Sequence, residues 1–334
     1  MRTLPIHDLR QLHACTTTNN QSTNKQMIPL LLPQILVVAA ATCAWLFPYH
    51  SWSKETHDLM QTLNAEDTDY THITDSELKD ALAKLPKVIQ LWIHAVLSHN
   101  LNDDDDNTDI PFARYLRISQ KGKFLLNGKF IDFTANQEFS TRSQHAGFVW
   151  DANMTMVECV GLKLPIHVRD AYVSGLGMLK AQMPFGLPIM RMDDSPELNE
   201  GELLRWCAEA VLFPLALVWT TKSGEEEGTT LKWQPSDVDE NAAILEFNHN
   251  GINLRLHFNF DPQTHLVTSM HCMRPRMDGA VAERAHWECY CYDYERCGGM
   301  LVPTRMECGW KLDSQKEVEI YFKGRNEQLI YLVS

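Results

Sequence analysis

Carboxylates set among apolar residues are the first feature of this sequence with chemistry to offer. In VRDAYVSGLGML, residues 168–179, a two-residue period puts Asp170 on the same side as Ile166, Val168 and Tyr172, and opposite Trp150 of the preceding segment. An acid on that apolar side must be paired or hydrogen-bonded, or its pKa rises. The segment SPELNEGELLRWCAEAVLF, residues 195–213, carries Glu202, Arg205 and Glu209 at i, i+3 and i+7, on one stripe of a helix. Such a stripe is ordinarily a solvated, salt-bridged face. Turned inward, it would meet Asp170, for which Arg205 is the natural partner. Adjacent carboxylates also suit acid–base work on a sugar or an ester, so a hydrolase using Asp170, Glu202 and Glu209 is an alternative. No nucleophile elbow, phosphate loop or dinucleotide fingerprint accompanies them.

A second charged couple lies one residue away. If residues 148–157 and 163–173 pair as a hairpin, Asp151 stands opposite Arg169 on the polar side. A cross-strand ion pair contributes from a few tenths to about 1 kcal/mol, so its role is to fix register. A slip by two would place His167 or Ala171 opposite Asp151 instead. Gln120 and Gln137 are polar residues on the apolar faces of neighbouring strands. With Trp150 and Tyr172 they outline a mostly apolar pocket with a few converging polar groups, the usual build of a small-ligand site. The same residues would also serve as a buried network tying helix to sheet. Cys289, Cys291, Cys297 and Cys308 do not have zinc-knuckle spacing, and they read as buried thiols or a disulfide; no metal or cofactor is expected. Tyr290, Tyr292 and Tyr294 fall on the opposite side from Cys289 and Cys291. The run NLNDDDDNTDIP at 100–111 places Asp103, Asp105, Asn107 and Asp109 at alternate positions, but Thr108 replaces the glycine of a calcium loop and Arg114 its closing glutamate. It reads as a solvated acidic loop.

The elements that position these residues are mainly strands. Alternation is clean along RYLRISQKGKF, KFIDFTANQEF, GFVWDANMTM and NLRLHFNFD, with Leu116, Ile118, Phe133, Phe148, Trp150 and Leu256 on the apolar side. Further strands are expected near 229–234, 242–248, 265–274, 284–295, 301–312, 316–323 and 328–333. The spacing predicts an α+β fold, mostly antiparallel: a curved half-barrel sheet of about ten strands over residues 112–334, wrapping one amphipathic helix. That helix begins with Ser195 as N-cap and Pro196 at its first position, ends at Pro214, and carries Leu203, Leu204, Cys207, Ala210 and Val211 as its apolar stripe. A second helix is expected over 75–98, split or bent by Pro86, and residues 51–75 read as a polar linker.

The 334-residue chain has 30 basic and 43 acidic residues, a net charge of −13, and no basic stripe, which excludes a nucleic-acid partner. After a polar leader of residues 1–26, the run from Met27 to Phe47 has 21 residues without a charge. At about 1.5 Å per residue that spans a bilayer core of roughly 30 Å. The predicted arrangement is a single-pass anchor with a cytosolic N-terminus, because Arg2, Arg10 and Lys25 precede it, and with the main domain lumenal or extracellular. A secreted protein with a cleaved signal is the alternative.

The segments GFVWDANM, VRDAYVSGLGML, ELNEGELLRWCAEAVLFPLAL and DYERCGGMLVPTRMECGW occur in this order. In them the chain resembles the uncharacterised, mainly bacterial domain-of-unknown-function family 6544 over about residues 84–333. The family is similar in fold to lipoprotein-carrier half-barrels, in which a curved sheet wraps a helix and leaves an apolar cavity. The resemblance implies an architecture and an apolar cavity, and the family has no established activity; the leading expectation is a membrane-tethered domain that holds a hydrophobic or amphipathic ligand, a lipid or acyl chain, in that cavity. A scaffold that docks a partner protein on an exposed apolar face is the remaining alternative.

Overall fold

The computed structural model describes residues 49–65, 75–97, 113–159, 162–218, 228–278, 281–312 and 317–332. The leader, the charge-free run 27–47 and the acidic loop at 100–111 lie outside these residues. Among the described residues no helix is long and apolar enough to cross a membrane.

Thirteen antiparallel strands form one curled sheet, three more than the ten or so expected. The strands β1 (Tyr115–Leu126), β2 (Lys129–Ser140), β3 (Phe148–Cys159), β4 (Leu162–Val173), β5 (Leu176–Gln182) and β6 (Pro188–Asp193) run as a meander outward from β1. A second meander comes back from the far edge: β7 (Thr230–Pro235), β8 (Ala242–His249), β9 (Ile252–Phe260), β10 (Val267–Asp278), β11 (Val281–Cys297), β12 (Met300–Lys311) and β13 (Glu319–Leu332). The two meet where β13 pairs with β1. Hairpins are tight because Asn127–Gly128 and Asn250–Gly251 all have positive φ, the backbone of the two-residue turns that match strand twist. The unforeseen strands β5 and β6 are short and lack clean alternation. The final strand is continuous where two pieces were expected, because the polar centre around Arg325 and Asn326 stays in the ladder through a bulge opposite Ser119 and Gln120.

This topology makes the chain cross from one edge of the sheet to the other, and helix α4 (Pro196–Glu209) makes that crossing, touching β4 and β5 on one side and β9 and β10 on the other. Ser195 caps it, its Oγ accepting from Leu198 N–H at 3.2 Å. Gly177 N–H donates to Asn199 Oδ1 at 2.7 Å and ties the first turn to β5. Leu203, Leu204, Cys207, Ala210 and Val211 are all buried, as their spacing requires. Trp206 fixes the helix in place. Its ring stacks on Phe139 at 5.7 Å and on Phe247 at 5.6 Å, and its Nε1 donates to Ser140 O at 3.0 Å. Helices α2 (Asp75–Ala83) and α3 (Lys87–Leu97) are separated at Pro86, and α3 adds Ile89, Trp92, Ile93 and Val96 to the same core.

Residues 51–65, expected to be linker, belong instead to a helix, α1 (49–65), docked on the other face of the sheet. Its Leu63 joins Tyr115, Val149, Ala171 and Val173 in a small second core. The helix escapes a periodicity search because polar groups make much of its contact. Trp52 Nε1 donates to both oxygens of Asp151, at 3.0 and 3.1 Å, and Thr56 Oγ1 donates to Asp151 Oδ2 at 2.7 Å.

Candidate functional site

The register places Trp150 opposite Asp170 and Asp151 opposite Arg169, as alternation requires. Adjacent residues therefore serve opposite faces. On the outer face the expected direct ion pair is replaced by a relay through α1. Arg169, fully buried, donates to Thr56 Oγ1 from Nε (3.1 Å) and Nη2 (2.5 Å) and to Trp52 O (2.6 Å), and its Nη1 lies 2.8 Å from Glu55 Oε2. Its guanidinium also covers the Trp52 ring at 4.0 Å. Partial burial opposes ionisation of Glu55, but Lys180 and Arg169 hold its carboxyl below the usual range. These groups build a structural latch.

On the inner face a cavity of about 480 Å³ opens between α4 and the sheet, within the roughly 300–1,000 Å³ of small-ligand sites. Its apolar wall includes Ile118, Phe124, Met154, Val168, Leu179 and Met306. Ile189 and Met190 of β6 line it too and are exposed, so its mouth lies at that edge strand. Of the residues singled out in the sequence, Trp150, Asp170, Gln120, Glu202, Arg205 and Glu209 line the cavity. Two do not. Tyr172 is fully buried in the solid part of the core, its ring 6.1 Å from that of His249, because α4 fills the space in front of it. Gln137 stands behind the wall. Its Nε2 donates to Glu209 Oε2 and its Oε1 accepts from Arg205 Nη2 at 3.3 Å.

The stripe on α4 faces inward because the curled sheet encloses the helix on nearly all sides. Arg205 donates to Asp170 Oδ2 at 2.5 Å and to Glu209 Oε1 at 2.9 Å, and lies over the rings of Phe148 and Trp150 at 4.5 and 5.2 Å. Burial alone would lower its pKa, but Glu209, Asp170 and Glu202 reverse this and leave it raised. Gln120 Oε1 accepts from Trp150 Nε1 at 3.1 Å and fixes that ring. Asp170 Oδ1 and Glu202 Oε2 are buried without a hydrogen-bond donor. Burial and the neighbouring Asp170 push Glu202 well above the usual carboxylate range, against the pull of Arg274 and Arg205. A proton on Glu202, which that shift favours, would meet both oxygens at once.

Arg274, Trp287, Cys289, Cys308 and Tyr321 also line the cavity; of these the sequence singled out only the two cysteines, as buried thiols or a disulfide and not as cavity residues. Cys289 and Cys308 are directly opposite across β11 and β12, both free thiols with sulfurs 3.3 Å apart. Trp287 followed from alternation with Cys289; Arg274 and Tyr321 did not. A bulge between Val267 and Ser269 reverses the parity of β10, and a second bulge makes Tyr321 the extra residue between Phe322 and Ile320. The tyrosine series is also divided. Tyr290 and Tyr292 stack at 6.4 Å, whereas Tyr294, following Asp293 at φ 52°, packs on the core and donates to Val267 O at 2.7 Å.

The pattern of segments that carries this site, strand pair then helix then long terminal strands, matches the family described as DUF6544, of unknown function, over residues 76–324. The chain belongs to the DUF6544 family. Among solved structures, this DUF6544 chain is similar to a DUF1329 family protein from Desulfovibrio piger, with 11% identity and a TM-score of 0.36, covering 74% of this chain and 94% of that one. It is also similar to a LolA superfamily protein from Nitrosomonas europaea, with 8% identity and a TM-score of 0.34, covering 71% and 93%. No curated protein matches it.

Proposed function

We propose that this chain binds a hydrophobic or amphipathic ligand, a lipid or acyl chain, in the half-barrel cavity. The observation that carries this reading is the cavity: about 480 Å³, walled mainly by aliphatic and aromatic side chains, with its polar groups gathered beside α4. A polar cluster at one end of an apolar space suits a chain with a single polar terminus. The exposed side chains of Ile189 and Met190 at the mouth, with exposed Phe185 and Leu187 just before them in the chain, would give the ligand an apolar entry. The charge-free run at 27–47 would tether the domain to a membrane that supplies such ligands, with the domain on the lumenal or outer side. The convergence of Asp170, Glu202 and Glu209 also suits a hydrolase. Asp170 and Glu209 are however engaged by Arg205, and burial disfavours the charged form of Glu202, which weighs against this alternative.

Native mass spectrometry and lipid extraction of the purified protein test the binding reading. Wild type is expected to carry or take up one acyl lipid, and Val168→Trp, which fills the cavity from its apolar wall, to exclude it at unchanged secondary structure. A wild-type protein that is repeatedly empty and takes up no lipid would end the proposal.

A further inference from the structure

The cavity holds one guanidinium to which no described residue offers an acceptor. Arg274 points inward from β10 together with Met270 and Cys272. Its guanidinium lies 5.2 Å from the ring of Trp287 and against Gly201 of α4, where a methyl group would come within 3.6 Å of Nε. Arg205, one helical turn along, has Asp170, Glu209 and Gln137 as acceptors. Among the described residues none accepts a hydrogen bond from Arg274. A guanidinium carries five N–H donors, and leaving them unmet in a poorly hydrated space is costly. Tyr321 is its neighbour on the wall. The phenol oxygen accepts from Trp287 Nε1 at 3.1 Å, which aims the ring, and its own O–H donates to no described residue. A charged and a neutral donor thus face the same space, and Glu202, the carboxyl that acts on Arg274 most, is one whose charged form burial disfavours.

We propose that Arg274 and Tyr321 form a head-group site and that the ligand is a long-chain carboxylate, its chain along the apolar wall and its carboxylate on these two donors. This rests on the reading of the cavity as an acyl-chain site. Guanidinium and carboxylate match as planar two-point partners. A phosphate head group fits less well, because its second charge would lie beside Asp170 and Glu209. Titration of Glu202 gives the site a pH dependence. Asp170 of β4, Arg205 of α4 and Arg274 of β10 act on Glu202 directly; Glu209 of α4 acts on Arg205, and Cys272 of β10 and Tyr321 of β13 on Arg274. Once Glu202 ionises at high pH it competes for Arg274 and repels the bound carboxylate.

Radiolabelled oleate and oleyl alcohol, the same chain with a charged and a neutral head, test the assignment on the full chain. Oleate is expected to bind tighter by on the order of tenfold or more. Arg274→Met and Tyr321→Phe should each bring oleate towards the affinity of the alcohol and leave the alcohol unchanged. Raising the pH should weaken oleate alone. Equal binding of the two ligands, with oleate indifferent to both variants, overturns the head-group site while the acyl cavity stands. Tighter binding of oleyl phosphate than of oleate overturns the carboxylate. Uptake of neither chain overturns the head-group site and the cavity reading together. Should Arg274→Met not fold, Tyr321→Phe and the wild-type comparison of the heads decide.

Discussion

Thr56→Val removes a single hydroxyl from α1 at nearly constant volume, and the geometry of the latch sets what that should cost. The hydroxyl donates to Asp151 Oδ2 at 2.7 Å and accepts from Arg169 Nε and Nη2 at 3.1 and 2.5 Å. Hydrogen bonds to charged groups contribute about 1.5–3 kcal/mol each, but several partners remain. Asp151 keeps Trp52 Nε1, Arg169 Nη2 keeps Trp52 O, and Arg169 Nη1 keeps Glu55, which is partly exposed and so counts for less. Arg169 Nε loses its one acceptor, in a side chain with no solvent exposure. The net loss should be about 2–4 kcal/mol, read as a lower urea midpoint at unchanged slope. The relay adds a second requirement. Asp151→Asn and Thr56→Val should be non-additive by about 1 kcal/mol or more, because each variant disturbs the same pair of bonds. A change below about 0.5 kcal/mol for Thr56→Val, or strict additivity with Asp151→Asn, would refute the latch and return α1 to the status of a loosely attached linker.

Three further outcomes follow from the buried groups. Trp206→Leu removes the middle ring of the Phe139–Trp206–Phe247 column and the bond to Ser140 O, and should destabilise by about 3–5 kcal/mol in thermal or urea unfolding. Glu202 has a raised pKa in the folded state, so its protonated form contributes stability at low pH that is lost as pH rises through the folded value. Glu202→Gln keeps a donor to Asp170 and should flatten this decline of the urea midpoint above pH 4.5; an unchanged decline would show that Glu202 is ionised already. Burial depresses His249 from 6.5 to about 4, so its neutral form stabilises the fold above 6.5, and that stability fades as pH falls towards 4. The loss should reach about 3 kcal/mol and be absent in His249→Phe, measured by the pH dependence of unfolding.

How much of this was legible in the sequence depended on strand parity. Where β3 and β4 alternate without interruption, counting by twos put Trp150 and Asp170 inside and Asp151 and Arg169 outside, and the ladder has that register. The inward stripe of α4 was legible as spacing; its direction needed the curl of the sheet around it. Arg274 was hidden because it follows a bulge, after which side chains switch face, and Tyr321 because it is itself the extra residue of another. No local propensity marks where such a bulge falls. The helix α1 was hidden for another reason. Trp52, Thr56 and Leu63 are spaced along one face, but hydrogen bonds to strand residues about a hundred positions away hold two of them, so hydropathy alone gave the segment no inward side.

The two faces of the β3–β4 pair also explain why the pairing is singular. A slip of β4 by one residue would expose Asp170 on the outer face and drive the Arg169 guanidinium into the apolar cavity, with neither set of partners in reach. Outside, Trp52 and Thr56 recognise Asp151 and Arg169; inside, Arg205 recognises Asp170. Each cluster therefore checks the register on which the other depends. Loosening the outer latch should reach the cavity wall, although α1 contributes no residue to that wall. In Thr56→Val, the amides of β4 around Asp170 should exchange faster with solvent than those of β11, which shares the cavity but not the latch. Equal exchange in both strands would mean that Arg205 alone holds the inner register, and that the outer relay serves only to dock α1.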